Sequence, residues 1–277
     1  MPSTVADLIA LLDLKRMDDG TFQGSAPETT LQRVFGGQVL AQALMAGGAS
    51  VTTNRAPHSL HGYFLRPGDP STPIVYVVEH TREGRSFSTR RVIARQHGRP
   101  IFHMTASFQA HEEGLEHQDE MPVTHEPHGL PTLRERLTGS GTAGRVSPDE
   151  WAALDVRYVE ASSDDHRGLQ VWLRTTGPLP DDPLVHAATL AYASDLTLLA
   201  SAAVPHSLRV EEPRLVTASI DHAMWFHRSV RVDDWLLHDQ ESPSASGGRG
   251  IGRGRVFDLA GRLVATTVQE GLLRLRK

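Results

Sequence analysis

Apolar and polar positions divide the chain into two runs of similar design. In the first run, residues 38–46 are apolar nearly all round, hold no proline, and lie between Gly36-Gly37 and Gly47-Gly48, which predicts a buried helix. Four β-rich segments follow, at 59–65, 73–81, 86–96 and 100–109. Short turns part them: Arg66-Pro67-Gly68-Asp69, Arg82-Glu83-Gly84-Arg85 and His97-Gly98. That spacing predicts an antiparallel meander. In the second run, Asp181-Asp182-Pro183 opens a buried helix over 184–193, Ser194-Asp195 interrupts it, and 196–203 continues. Strands are predicted at 215–228, 235–241, 244–257 and 262–275. Ahead of these runs lie an amphipathic helix over 5–17, a short strand at 21–24, and strands at 151–160 and 169–175. Between the runs the composition shifts to Glu, His, Pro, Gly and Thr, with a helical piece at 133–137.

The repeated order of elements predicts a duplicated α+β architecture, a long antiparallel sheet curled around one apolar helix, made twice. The expected domains are 1–112 and 151–277, joined by a solvated connector at 113–150. Ser59 and Gln109 are 50 positions apart (109 − 59), as are Ser219 and Gln269 (269 − 219), which suggests an offset of 160 between the halves. On an ideal pleat through 215–228, Ile220, His222, Met224 and Phe226 point one way. Thr217, Ser219, Asp221, Ala223 and Trp225 point the other. A hydroxyl and a carboxylate then share a face of a core-grade strand, which is costly unless they are paired or used.

The 277 residues suffice for one large or two modest domains. The absence of cysteine excludes disulfides, thiolate nucleophiles and Cys-based zinc sites. A net charge of −5 gives no help to a nucleic-acid partner, and none is expected. No apolar run approaches the length of a membrane span. The N-terminus lacks a basic n-region, and the C-terminus, Leu275-Arg276-Lys277, is not a Ser-Lys-Leu signal. A soluble cytoplasmic protein is the expectation.

Several longer motifs then carry a resemblance. Val34-Phe35-Gly36-Gly37-Gln38-Val39, the stretch 59–70, the stretch 100–109, Tyr192-Ala193-Ser194-Asp195-Leu196, the stretch 220–228 and Val268-Gln269-Glu270-Gly271 together resemble the acyl-CoA thioesterase II (TesB-like) family. The resemblance implies a double hotdog fold, hydrolysis of acyl-CoA substrates without a cofactor or metal, and homo-oligomers. It also implies a site of acid, hydroxyl and glutamine, matched here by Asp195, Ser219 and Gln269. The hydroxyl is often Thr in that family, and Ser lacks the methyl that restricts the rotamer.

These residue types suit a thioester. The leaving thiol has a pKa near 8.5 or a little above, so a strong general acid is dispensable. Asp195 can take a proton from water, while Ser219 and Gln269 orient that water. Backbone N–H groups near Ser194-Asp195 or Gly36-Gly37-Gln38 can receive the oxyanion. Direct attack by Asp195, giving an anhydride, stays open. Gln38, Ser59 and Gln109 read as the counterparts in a degenerate first site, with Gln38 in the place of the acid; one working site per chain is expected. Asp221 and His222, as strand neighbours, are read as structural. His111, His117, His125 and His128 lack metal-ligand spacing and are read as solvated. Arg249, Arg253 and Arg255, or Arg82, Arg85, Arg90 and Arg91, are candidates for CoA phosphates, with exposed strand-edge charge the blander reading. A hotdog hydratase or dehydratase and a non-catalytic acyl-CoA binding module are the alternatives. The former usually has a His five positions after its Asp, where this chain has Ala200. A serine hydrolase of the Gly-x-Ser-x-Gly kind is disfavoured, since that motif is missing.

Overall fold

The computed structural model describes residues 1–52, 54–139, 147, 149–159, 168–210, 212 and 214–276. Two helices lie at its centre. Helix α2, Gly36–Gly48, is the predicted Ala/Leu segment, with Leu40, Ala43 and Leu44 fully buried. Helix α4, Pro183–Ser194, starts where Asp182 accepts the Leu184 N–H at 2.8 Å and Pro183 fills the first turn. The two pack antiparallel. A Cβ on Gly37 would meet the Tyr192 carbonyl and one on Gly48 would meet Leu184, so glycine at each end permits the close approach.

One antiparallel sheet wraps this pair. The strands are β1 (Lys15–Asp18), β2 (Thr21–Gly24), β3 (Arg55–Phe64), β4 (Ile74–Glu83), β5 (Phe87–Gln96), β6 (Arg99–Ala110), β7 (Leu154–Tyr158), β8 (Gly168–Thr175), β9 (Leu215–Ser219), β10 (Asp221–Phe226), β11 (Leu236–Ser246), β12 (Arg249–Asp258) and β13 (Leu263–Leu275). Their spatial order is β1-β2-β4-β5-β6-β3-β10-β13-β12-β11-β8-β7, with β9 also on β13. The halves meet at β3 and β10. There Gly62 faces His222, and 222 − 62 restores the offset of 160.

That offset does not extend to the glutamines. Ser59 faces Ser107 on β6, whereas Ser219 faces Gly271 on β13. Gln109 therefore lies two positions beyond its serine's partner and Gln269 two positions before. Gln38 is no counterpart of the acid either. It lies in the first turn of α2, whereas Asp195 caps the end of α4; the matching C-cap of α2 is Ala49.

Other expectations shift at the ends of elements. Helix α1 (Val5–Leu12), closed by a Thr4–Asp7 capping box, stops five residues short of Met17. The chain then forms β1, which takes the last residues of the predicted helix, and turns into β2 through Asp19-Gly20 (Gly20 φ +86°), a hairpin signal two residues past the predicted helix end. The predicted break at Ser242-Pro243 is a bulge within β11. The true turn is Gly247-Gly248, both at positive φ. The predicted strand at 151–160 shortens to β7, and residue 160 lies outside the described residues.

The segment Pro183–His206 is long and apolar enough to match a membrane span by composition, contrary to the reading from the sequence. Its window is 72% buried within the protein, and Asp195 divides it into α4 and the 3-10 helix Leu198–His206. The connector, too, is more than solvated. Before α3 (Leu133–Gly139) it crosses the outer face of the second half, where the His125 carbonyl accepts the Trp172 indole N–H at 2.8 Å. Gln118 bonds Gly261 and Leu263 there. Trp172, Trp235, Leu237 and Phe257 form a second apolar cluster beneath it.

Candidate active site

Asp195, Ser219 and Gln269 converge, although they lie on three different elements. Asp195 ends α4, and its side chain is only 4% exposed. Gln269 lies on the inward face of β13 with Thr267 and is fully buried. Its Nε2 donates to Asp195 Oδ1 at 2.5 Å and to Ser219 Oγ at 3.0 Å. A carboxylate only accepts, so the amide nitrogen must face it, and both amide hydrogens are used. Ser219 accepts one of them and keeps its own hydroxyl hydrogen for another partner. A buried carboxylate and a half-buried alcohol are thus held by one amide.

Ser219 reaches this face through a break in the predicted strand 215–228. Between the pairs Ser219–Gly271 and Ala223–Val268, one strand advances four residues (223 − 219) and the other three (271 − 268). The extra residue is a β-bulge at Ile220–Asp221. It reverses the alternation, so Ser219 shares the inward face with His222 and Met224, while Asp221 turns out. The expectation that Ser219 and Asp221 share a face is thereby corrected.

His222 is the residue that strict alternation missed. It is completely buried, with Nδ1 3.7 Å from Asp195 Oδ1 and Nε2 3.0 Å from Ser194 Oγ. Ser194 donates its hydroxyl hydrogen to the Ala191 carbonyl at 3.0 Å. His222 Nε2 thus lies within hydrogen-bond reach of the Ser194 hydroxyl, and Nδ1 faces the carboxylate edge. Within β10, His222, Ala223 and Met224 are all buried and only Trp225 is exposed, so no alternation along the sequence marks the face that His222 takes.

The first half contributes the other wall. A Cβ on Gly36 would lie 2.7 Å from Asp195 Oδ2, so the first turn of α2 lies against the acid. That turn has no acidic residue, and its N-cap, Phe35, offers no side-chain acceptor. Helix geometry leaves the first N–H groups of a helix without full-turn partners; here the Gln38 N–H takes the Phe35 carbonyl at 3.1 Å, and those of Gly36 and Gly37 belong to the turn that lies against the acid.

The arginine candidates have other partners. On β12, Gly250, Gly252 and Gly254 face inward under the 3-10 helix and His238; Cβ atoms there would strike Ala202, Ser201 and His238. Arg249, Arg253 and Arg255 face outward and pair with Glu270, Glu241 and Asp239. Arg90 is buried against Glu83 and Ser50, and Arg91 pairs with Glu79. Arg82 and Arg85 are exposed.

Comparison with known proteins gives the family. An acyl-CoA thioesterase N-terminal domain model matches residues 25–109, and an acyl-CoA thioesterase model matches residues 148–272. Acyl-CoA thioesterase 2 of Haemophilus influenzae is 39% identical, with 99% of each chain covered. The chain belongs to the acyl-CoA thioesterase family. Acyl-CoA thioesterase II TesB2 from Mycobacterium marinum superposes with a TM-score of 0.84 at 45% identity, covering 98% of this chain and 99% of that one. A hot dog fold protein from Alicyclobacillus acidocaldarius shares the fold at 21% identity, with a TM-score of 0.78 over 98% of this chain and 99% of that one. This acyl-CoA thioesterase family member is a double hotdog, one sheet curled around α2 and α4.

Proposed function

We propose that the protein hydrolyses fatty acyl-CoA to the free acid and CoA at Asp195, Ser219 and Gln269. As a member of its family it is a hydrolase acting on thioesters. The observation that carries the finer reading is the Gln269 amide, bonded at once to the Asp195 carboxylate and the Ser219 hydroxyl.

Water held between Asp195 and Ser219 attacks the thioester carbonyl carbon. Asp195 takes its proton, and the carbonyl oxygen gains the negative charge, facing the first-turn N–H groups of α2. Collapse breaks the carbon–sulfur bond. The thiolate of CoA leaves and receives the proton from Asp195, which restores the carboxylate. Gln269 holds Oδ1 throughout, which favours water over direct attack by the carboxylate. No step calls for a metal or cofactor. Only the second half has an acid at the C-cap of its central helix, so the reading gives one site per chain.

The test is release of free thiol from a panel of acyl-CoA esters of increasing chain length, beside the absorbance of an enoyl-CoA. The reading expects one thiol per acid formed, and any loss of enoyl absorbance to match the thiol released. Consumption of the enoyl group without thiol release would make the protein a hydratase, and binding with neither change would make it a carrier.

A further inference from the structure

The bulge at Ile220–Asp221 has an unusual acceptor. In a regular antiparallel ladder every second facing pair exchanges two backbone hydrogen bonds. Here Ile220 N–H donates to the Glu270 carbonyl at 2.9 Å, but the return bond is missing from the ladder. The Ile220 carbonyl has turned to the other half, where it accepts the Phe64 N–H at 2.9 Å. The Glu270 N–H donates instead to Asp221 Oδ1 at 2.7 Å. A carboxylate side chain thus replaces a strand carbonyl at the point where the alternation reverses. Its second oxygen lies 3.2 Å from His61 Nε2 on β3, so the same side chain is held from both halves.

We propose that Asp221 is a positioning residue for the hydrolysis: its carboxylate holds the bulge that turns Ser219 onto the Asp195–Gln269 pair. This rests on the reading of Asp195, Ser219 and Gln269 given above. Asp221 lies outside the pocket face and touches none of the three. It acts through two backbone neighbours. Ile220 joins it to Ser219, and the Glu270 N–H it anchors belongs to the peptide bond that follows Gln269. A charged acceptor makes a shorter and stronger bond than a carbonyl. Without it, the Glu270 N–H is left unpaired in a partly buried sheet, and the register that places Ser219 inward loses its lock.

The experiment uses the full chain and four variants, with kcat and KM from thiol release and melting curves for each. Asp221→Ala is expected to lower kcat by about 10-fold with little change in KM, the cost of a small misplacement at a reacting centre. Asp221→Asn keeps an Oδ1 acceptor and is expected to stay within about 3-fold of wild type, while Asp221→Glu keeps the charge, moves the acceptor and loses about as much as alanine. If the alanine variant does not fold, the Asn–Glu contrast decides. In a Ser219→Ala background, Asp221→Ala is expected to cost less than about 2-fold more, because residues acting through one group are not additive. Full turnover in Asp221→Ala, absence of rescue by Asn, or an undiminished loss in the Ser219→Ala background would overturn the proposal while Ser219→Ala itself stays impaired. If Ser219→Ala turns over like wild type, the role of Ser219 falls, and that of Asp221 with it.

Discussion

Gly36 has no Cβ, and the Asp195 carboxylate occupies the space where one would be, 2.7 Å away. Gly36→Ala is therefore expected to push the acid off its bond to Gln269 and lower kcat by about 10-fold, with a melting temperature near that of wild type. Unchanged kcat would mean that the first turn of α2 does not border the reacting atoms. Ser219→Thr keeps the oxygen and restricts its rotamer, so turnover within about 3-fold of wild type, or faster, is expected. Strong inactivation would mean that the pocket has no room for the methyl. The three side chains were legible through long motifs, not through their own surroundings. An Asp after Ser in an apolar helix, a Ser in a strand and a Gln near a strand end each read as structural when taken alone. His222 was illegible because a single inserted residue changes which face it shares, and no property of Ile220 or Asp221 advertises a bulge.

Elements were more legible than their ends. Both central helices lie where glycine pairs or Asp-Pro mark them, because those residues act locally. The glycines of β12 had no reading from the sequence, because their cause is not local. They are small to admit the 3-10 helix and His238 from elsewhere in the chain. A Cβ on Gly254 would lie 2.3 Å from His238 Nε2 and 2.7 Å from Thr267 Oγ1. Gly254→Ala is expected to destabilise the fold by about 1–3 kcal/mol through overpacking, read as a lower midpoint in chemical denaturation. An unshifted midpoint would show that β12 can move away from its neighbours.

At the scale of the molecule, the two halves share one sheet and one pair of helices. The proposed site draws Asp195, Ser219 and Gln269 from one half and its wall from the other. Polypeptides 1–112 and 151–277, produced apart, are each expected to be inactive; thiol release by either alone would contradict a site completed at the join. Behind the site, His238 is fully buried, and desolvation, helped by the charge of His222, pushes its pKa down to about 3 from an ordinary 6.5. Between those values the unfolded chain binds a proton that the folded one refuses. Stability should then rise with pH across that window and level off above it. Melting temperature is expected to fall from pH 7 to pH 5, and to fall less in His238→Gln; equal falls would mean that His238 takes up its proton in the folded state.

The acid decides the account. Turnover of a readily hydrolysed acyl-CoA by Asp195→Asn, followed as free thiol and set beside substrate binding by the same variant, is the most direct measurement. The expected result is binding close to that of wild type with kcat lower by about 10²–10⁴-fold, the contribution of a positioned base. A folded Asp195→Asn that turns over at the wild-type rate would contradict it.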